Sequence, residues 1–495
     1  MPNSCRRSGL DLVWETVFSN WQSLTLLPVL VGAWCVDAHG LPPLDAHRLF
    51  FESATSAPKT REPRQSKPSD EAAARDWYNS GVSLMQQDKV SEAVEAFEAA
   101  LLFQPDFVQA HYALAILRVR QKDQTRAMEG FRTVLRLDPD FLDAYNNLGA
   151  LLAESGQLQE ATEQFLRVLR RDQAHVEARV NLSLALSRKK DFEGAIVLLQ
   201  DGVRLDPKRA ELYVFLGEQQ QQAERFVDAL ESFRKALGLN SRVAGAHRGI
   251  GAVWLAQGKR TEAKAEFRAE LDSYPQDGRT YYWLGKIAAQ EGKNDQAAID
   301  LEQAVQLQPN DARAHAELGR SYQRLRRFPE AEKSFETALR LDPQIEQALY
   351  GLASLLRARG EIEKSRSHLV KAEKLQRARN EAGRAPALNA QGIELLKENK
   401  LDPAASTFRE ALSADPTFAV AAHNLALALG RSGKTMEAIE AFRTAIRLNP
   451  TFAAAHQGLG VLLRKAGDPL AEEELQKAQL LKQVVPQPVD TSVER

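Results

Sequence analysis

Cysteine is almost missing. Cys5 and Cys35 are the two in 495 residues, and everything after Cys35 is free of thiols. No disulfide framework and no cysteine-ligated metal forms in that remainder. A dominant charge is missing as well: 65 Lys and Arg meet 66 Asp and Glu, for a net charge of −1. No overall field draws such a chain to nucleic acid or an anionic membrane, so neither is an expected partner. The uncharged run Leu24–Val36 (LTLLPVLVGAWCV) is too short for a membrane-spanning helix. HExxH, CxxC, GxSxG and a dinucleotide fingerprint are all absent, so catalysis and a cofactor are not expected.

Two near-signals are weaker than they look. Gly433-Lys434-Thr435 ends like a phosphate loop, but Ala428 stands where the loop needs its first glycine, and no strand pattern leads into it. Gly433 instead shares its place with Gly156, Gly258 and Gly292, in a turn between helices. Nine histidines invite a metal site. Yet His111, His247, His315 and His456 fall in units two, six, eight and twelve of the repeat described next, which are not neighbours, so their rings cannot surround one ion. They read as stand-ins for the aromatics at Trp77, Tyr145, Tyr213 and Tyr281.

What is present is repetition. In Ala312–Ile345, Leu318, Tyr322 and Leu325 recur at helical spacing. The period breaks at Arg326–Pro329 and resumes with Ala331, Phe335, Ala338 and Leu339. It stops at Asp342–Pro343. Two short amphipathic helices joined by a turn cannot bury their apolar stripes alone, so copies must stack. The copies recur every 34 residues, counted from Ala74 as position 1. Pro105, Pro139, Pro207, Pro275, Pro309 and Pro343 fall on position 32, and Phe97, Phe131, Phe165, Phe233, Phe267 and Phe335 on position 24. Ala93 and its counterparts through Ala331 fall on position 20, and Gly149, Gly217, Gly285 and Gly319 on position 8. Small residues at positions 8 and 20 let two helices approach, where a larger side chain would overpack at ~1–3 kcal/mol.

This pattern resembles the tetratricopeptide repeat family, with Trp77, Gly81, Leu84, Ala93, Phe97, Ala100 and Pro105 matching in the first copy. The resemblance spans about four-fifths of the chain. It implies an all-α fold, a right-handed α-solenoid of about twelve antiparallel helix-turn-helix repeats. Gln173, Ser241 and Arg377 replace the position-32 proline, and those joints are expected to be softer.

The frame divides the chain. Residues 1–38 hold Leu24–Val36, which suits the apolar core of an export signal with a cleavage site at Val36-Asp37-Ala38, or else form an N-terminal extension. Residues 39–73 read as a disordered linker, 74–379 as nine repeats, 380–384 as a phase-breaking insertion, 385–483 as three further repeats with a C-terminal cap, and 484–495 as a tail. Location follows the signal: periplasmic or secreted if Leu24–Ala38 is cleaved, otherwise cytoplasmic.

Function then belongs to the concave face. Positions 2, 5, 6, 9, 12 and 13 of each first helix are expected to face away from the partner helix and line a groove. Repeats six to nine place Arg248, Arg279, Lys286, Arg313, Arg320, Arg324 and Arg357 there against Glu317 alone, with Tyr282 and Trp283 among them. Repeats one to five balance Arg75, Arg120 and Arg188 against five acids. The expectation is a basic, partly aromatic groove for acidic peptide segments, with Asn147 and Asn181 able to clamp a peptide backbone nearby. The leading reading is a non-catalytic protein-binding scaffold. The alternatives are an exported accessory subunit of an envelope or enzyme complex and, more remotely, a glycosyltransferase-like regulatory repeat protein, suggested by the broken asparagine series Asn79, Asn147, Asn181 and Asn424.

Overall fold

The computed structural model describes residues 68–484. The export-signal segment, most of the linker and the tail beyond Val484 lie outside the described residues. The described chain is an α-solenoid of helix-turn-helix repeats. A typical repeat pairs a first helix of 13 residues, such as Leu142–Glu154, with a second of 14, such as Leu158–Arg171. The opening helix, Pro68–Gln86, begins inside the stretch read as linker. None of the described helices is long and apolar enough to cross a membrane.

The turn between paired helices is set at position 15, which adopts positive φ throughout. Glycine fills it at Gly156, Gly258, Gly292, Gly360, Gly433 and Gly467, while Asp88, Lys122, Lys190, Glu224, Arg326 and Asn399 adopt the same left-handed geometry with a side chain. The backbone N–H that follows reaches back to close the helix, as from Gln157 to the Leu152 carbonyl at 2.8 Å. Gly433 is one of these turns, at φ 81, so its glycine serves the turn and not a phosphate.

The position-24 phenylalanines are the interior of the stack. A Cβ added to Gly149 would lie 2.7 Å from Phe165, in the same repeat. One added to Gly249 would lie 2.3 Å from Phe233, and one on Gly351 2.3 Å from Phe335, both in the preceding repeat. Each ring therefore wedges between position 8 of its own first helix and position 6 of the next. This corrects the expected groove. Positions 5 and 6 are largely covered by neighbouring repeats, as at Tyr112, Asn146, Val180, Val214, Ala113, Phe215 and Glu317. Successive first helices pack side by side, and a wheel drawn for one helix pair cannot see the next pair.

Two departures from the period have visible consequences. At Ser241, where proline is missing, the first helix of repeat six starts late and is shortened to Ala246–Ala256, 11 residues. Gly245 precedes it at φ 87, and Glu270 caps it, accepting N–H bonds from Gly245 at 2.7 Å and Arg248 at 3.1 Å. At the insertion, the second helix of repeat nine runs on through Ile362–Ala382, 21 residues, before Gly383 caps it and the next repeat opens with the helix Ala385–Lys397, which has Pro386 in its first turn.

Candidate peptide-binding face

The position-4 residues hold the joints between repeats. A ring nitrogen of His111 lies 2.9 Å from the Pro105 carbonyl, that of His315 2.9 Å from Pro309, and that of His456 3.0 Å from Pro450. The Tyr213 hydroxyl donates to the Pro207 carbonyl at 3.3 Å and Arg179 Nε to the Gln173 carbonyl at 3.1 Å. The side chain at position 4 thus reaches the carbonyl six residues back and ties the loop to the helix it precedes. The histidines replace the polar end of a tyrosine as well as its bulk. His247 differs, bonding Glu266 at 2.7 Å. Among the described residues no cluster of His, Cys, Asp and Glu could hold a metal.

The asparagines join one repeat to the next. Asn147 Nδ2 donates to the Tyr112 hydroxyl at 2.9 Å, Asn181 Nδ2 to Asn146 Oδ1 at 2.9 Å, and Asn424 Nδ2 to Asn389 Oδ1 at 3.0 Å. Each bond links position 6 to position 5 of the repeat before. Asn147 and Asn181 are therefore engaged in stacking contacts. Arginines at position 13 do a related job. Arg188 Nη1 donates to the Ala153 carbonyl at 2.6 Å and Arg324 Nη1 to the Ala289 carbonyl at 2.7 Å, each capping the end of the preceding first helix.

The cations of repeats six to nine divide into two kinds. Arg248 is buried, 8% exposed. Its Nη1 donates to Asp277 Oδ2 at 2.8 Å, and its Nη2 lies 3.4 Å from Glu218 Oε1. Glu270, 1% exposed, stands 3.9 Å away. Burial works against the charge on Arg248, but Asp277, Glu218 and Glu270 outweigh it and raise its affinity for the proton. Burial also pushes Asp277 up, and Arg248 with Thr280 more than reverses this. Glu218 goes the other way: burial lifts it to about 7 despite Arg248 and Arg279. Arg248 is a structural cation, not a groove cation. Reading the first helices alone missed Glu270 and Asp277. A signal existed, because position 27 is small or aliphatic in the other ten full repeats, as at Ala100, Val134, Ala236, Ala304 and Ala338, and a lone glutamate there needs a partner.

Repeats seven and eight gather the second kind. Tyr282 and Trp283 meet edge-on at 5.2 Å, and Trp283 stacks on buried Phe267 at 6.3 Å. Lys286 Nζ sits 4.9 Å above the Trp283 ring and 5.8 Å from that of Tyr282. Burial draws Lys286 below the ordinary lysine range; Glu317 opposes this, and Arg313 and Arg320 reinforce it. Burial and Glu317 push Tyr282 up to about 12. Arg320 pairs with Glu317, whose own side chain is covered, and Arg313 is exposed with Asp311 3.9 Å away. Arg279 is half-buried and acts on both Glu218 and Asp277. Tyr282, Trp283, Lys286, Arg313 and Arg320 thus share one electrostatic neighbourhood, bordered by Arg279. Arg324 is engaged at a helix end, and exposed Arg357 lies one repeat further on.

The tetratricopeptide repeat profile matches residues 78–140, 216–277, 255–312, 316–382 and 423–480, and a second profile of that description matches 131–163. Together they cover more than half of the chain. Among solved structures, a tetratricopeptide repeat protein from Parabacteroides merdae is similar at 15% identity and a TM-score of 0.47, covering 50% of this chain and 99% of that one. The human IFIT1 dimer, solved with m7Gppp-AAAA, is similar at 16% identity and a TM-score of 0.44, covering 74% of this chain and 88% of that one. No curated protein matches the sequence.

Proposed function

The chain belongs to the tetratricopeptide repeat family, and from that premise we propose that it is a non-catalytic scaffold whose seventh and eighth repeats hold an acidic peptide segment. Repeats of this family typically mediate protein interactions. The observation that carries the reading is Lys286 poised over Trp283 and Tyr282, with Arg313 and Arg320 beside it and Glu317 the acid facing them. A carboxylate entering there meets Lys286, Arg313 and Arg320, which the covered Glu317 and the helix-capping Asp311 do not fully neutralise, and the aromatic faces support the peptide's apolar portions. Arg248 and Arg324 are excluded from the binding set because the fold uses them. The test is fluorescence anisotropy with a labelled glutamate-rich peptide. The joint variant Arg279→Glu, Lys286→Glu, Arg313→Glu and Arg320→Glu, shown to remain helical by circular dichroism, is expected to weaken binding about 100-fold or more, and added salt is expected to weaken wild-type binding. Undiminished affinity in the charge-reversed protein refutes the site.

A further inference from the structure

Loop joints follow ten of the repeats, eight of them carrying proline at position 32, and nine of these joints look alike. Positions 32 and 33 lie open to solvent at Pro105-Asp106, Pro139-Asp140, Gln173-Ala174, Pro207-Lys208, Ser241-Arg242, Pro275-Gln276, Pro309-Asn310, Pro343-Gln344 and Pro416-Thr417. The tenth, Pro450-Thr451, is buried, with Thr451 at 0% exposure. What covers it is the chain's own fourth repeat. Lys189 Nζ donates to the Leu448 carbonyl at 3.4 Å across a separation of 259 residues. Asn449 Nδ2 donates to Asp191 Oδ2 at 3.3 Å. Beside these bonds, Ala453, Leu480, Leu481 and Val484 of the last repeat join the apolar cluster built from repeats two to four, and do not join the cluster of repeats ten to twelve.

We propose that the last repeat and the joint leading into it form an intramolecular latch, the joint docking on the helix-to-helix turn of repeat four and the last helix on the apolar cluster of repeats two to four, closing the solenoid on itself. Three features favour the chain's own last repeat as the occupant of that surface. Apolar residues of a terminal helix, which would otherwise face water, are covered: Leu480 is 8% and Val484 1% exposed. The polar groups at the contact are paired across it, so docking leaves neither the Lys189 ammonium nor the Leu448 carbonyl without a partner. The joint that docks is the one whose loop is covered. Burial also lowers Lys189 to about 8, as expected for an ammonium shielded from water on one side. With the latch shut, an extended partner cannot pass to the concave face between repeats four and twelve.

Two measurements on the full chain decide the matter. In the first, Lys189→Cys and Leu448→Cys are combined with Cys5→Ser and Cys35→Ser and treated with a short bis-maleimide at low protein concentration. A bridge within one chain, located by mass spectrometry, is expected. A bridge only between two chains, meaning that the surface takes the last repeat of a second copy, overturns the latch, and so does the absence of any bridge. The second measurement is hydrogen exchange across the Leu448–Ala453 joint, with the Ala414–Ala419 joint as internal reference. Both joints close the same turn bond, Thr451 N–H to Asn449 Oδ1 and Thr417 N–H to Asp415 Oδ1. Slower exchange at Leu448–Ala453 is expected, and Lys189→Glu is expected to accelerate it about tenfold or more with the reference unchanged. Equal exchange at the two joints in the wild-type chain, or no acceleration in the variant, overturns the proposal.

Discussion

Arg248 and Arg313 both belong to the set of cations that a helical wheel assigns to the groove, yet they live in different worlds. Arg248 is held by Asp277 at 2.8 Å with Glu218 and Glu270 behind it, in a site largely buried from solvent. Arg313 is exposed, with one carboxylate 3.9 Å away that already caps its own helix. The difference arises only in part on the first helices, where repeat five supplies Glu218. The rest comes from the second helix and the loop, where repeat six carries Glu270 in place of a small residue and Asp277 follows a few residues on. The availability of a charge is set by what the neighbouring element places opposite it.

The sharpest way to break this comparison is to delete Arg248. Arg248→Ala leaves Asp277, Glu218 and Glu270 close together without their common cation, and the expected loss is about 3–5 kcal/mol in urea unfolding. Because a repeat array need not unfold in one step, the loss is expected to appear as an early transition centred on repeats five to seven, resolved by hydrogen exchange. A loss as small as that of an exposed arginine would mean that the network is not closed to water.

Glu218 supplies the next effect, through pH. Its carboxyl stands at about 7 in the folded chain against an ordinary value of 4.5. The folded state therefore binds the proton more tightly than the unfolded one, and stability from this group is complete below about pH 4.5 and is lost as pH rises through 7. The full swing is about 3 kcal/mol, at 1.36 kcal/mol per pKa unit. Glu218→Gln, which resembles the protonated form, is expected to remove that component, so that wild type minus variant falls between pH 5 and 7.5 by about 2–3 kcal/mol. A flat difference would show that Arg248 keeps Glu218 ionised throughout.

The contrast also shows how far a sequence can be read. The helices, their turns and the lengthened helix before Pro386 follow from local spacing, since a proline, a left-handed residue and an alanine-phenylalanine pair each act within one or two turns of themselves. Most side chains at positions 5 and 6 are stacking contacts whose partners sit 34 or 35 residues away, as Asn147 finds Tyr112, while Tyr282 and Trp283 at the same positions stay partly exposed. A period that repeats a residue says nothing about which copy it touches. Glu270 was legible as a break in that period, although its partner was not. The contact of Lys189 with Leu448 had no such trace, because it depends on the curvature summed over eight repeats, to which each joint adds a small rotation.

The smallest expected effect is the one that sharpens the comparison most. Arg313→Ala removes an exposed side chain whose nearest acid, Asp311, keeps its own bonds to the Arg313 and Ala314 backbone amides at 2.9 and 3.2 Å. Nothing is left buried and unpaired, so unfolding is expected to shift by no more than about 0.5 kcal/mol. The same change takes one cation from the neighbourhood of Lys286 and Tyr282, and a glutamate-rich peptide is expected to bind about 3- to 10-fold more weakly, with the deficit closing as salt is raised. Arg357→Ala, also exposed but one repeat beyond the cluster, is the matched control and is expected to change neither quantity. Equal losses of affinity from the two substitutions would mean that the peptide senses the average charge of the face, and would remove the reason for placing its site at repeats seven and eight.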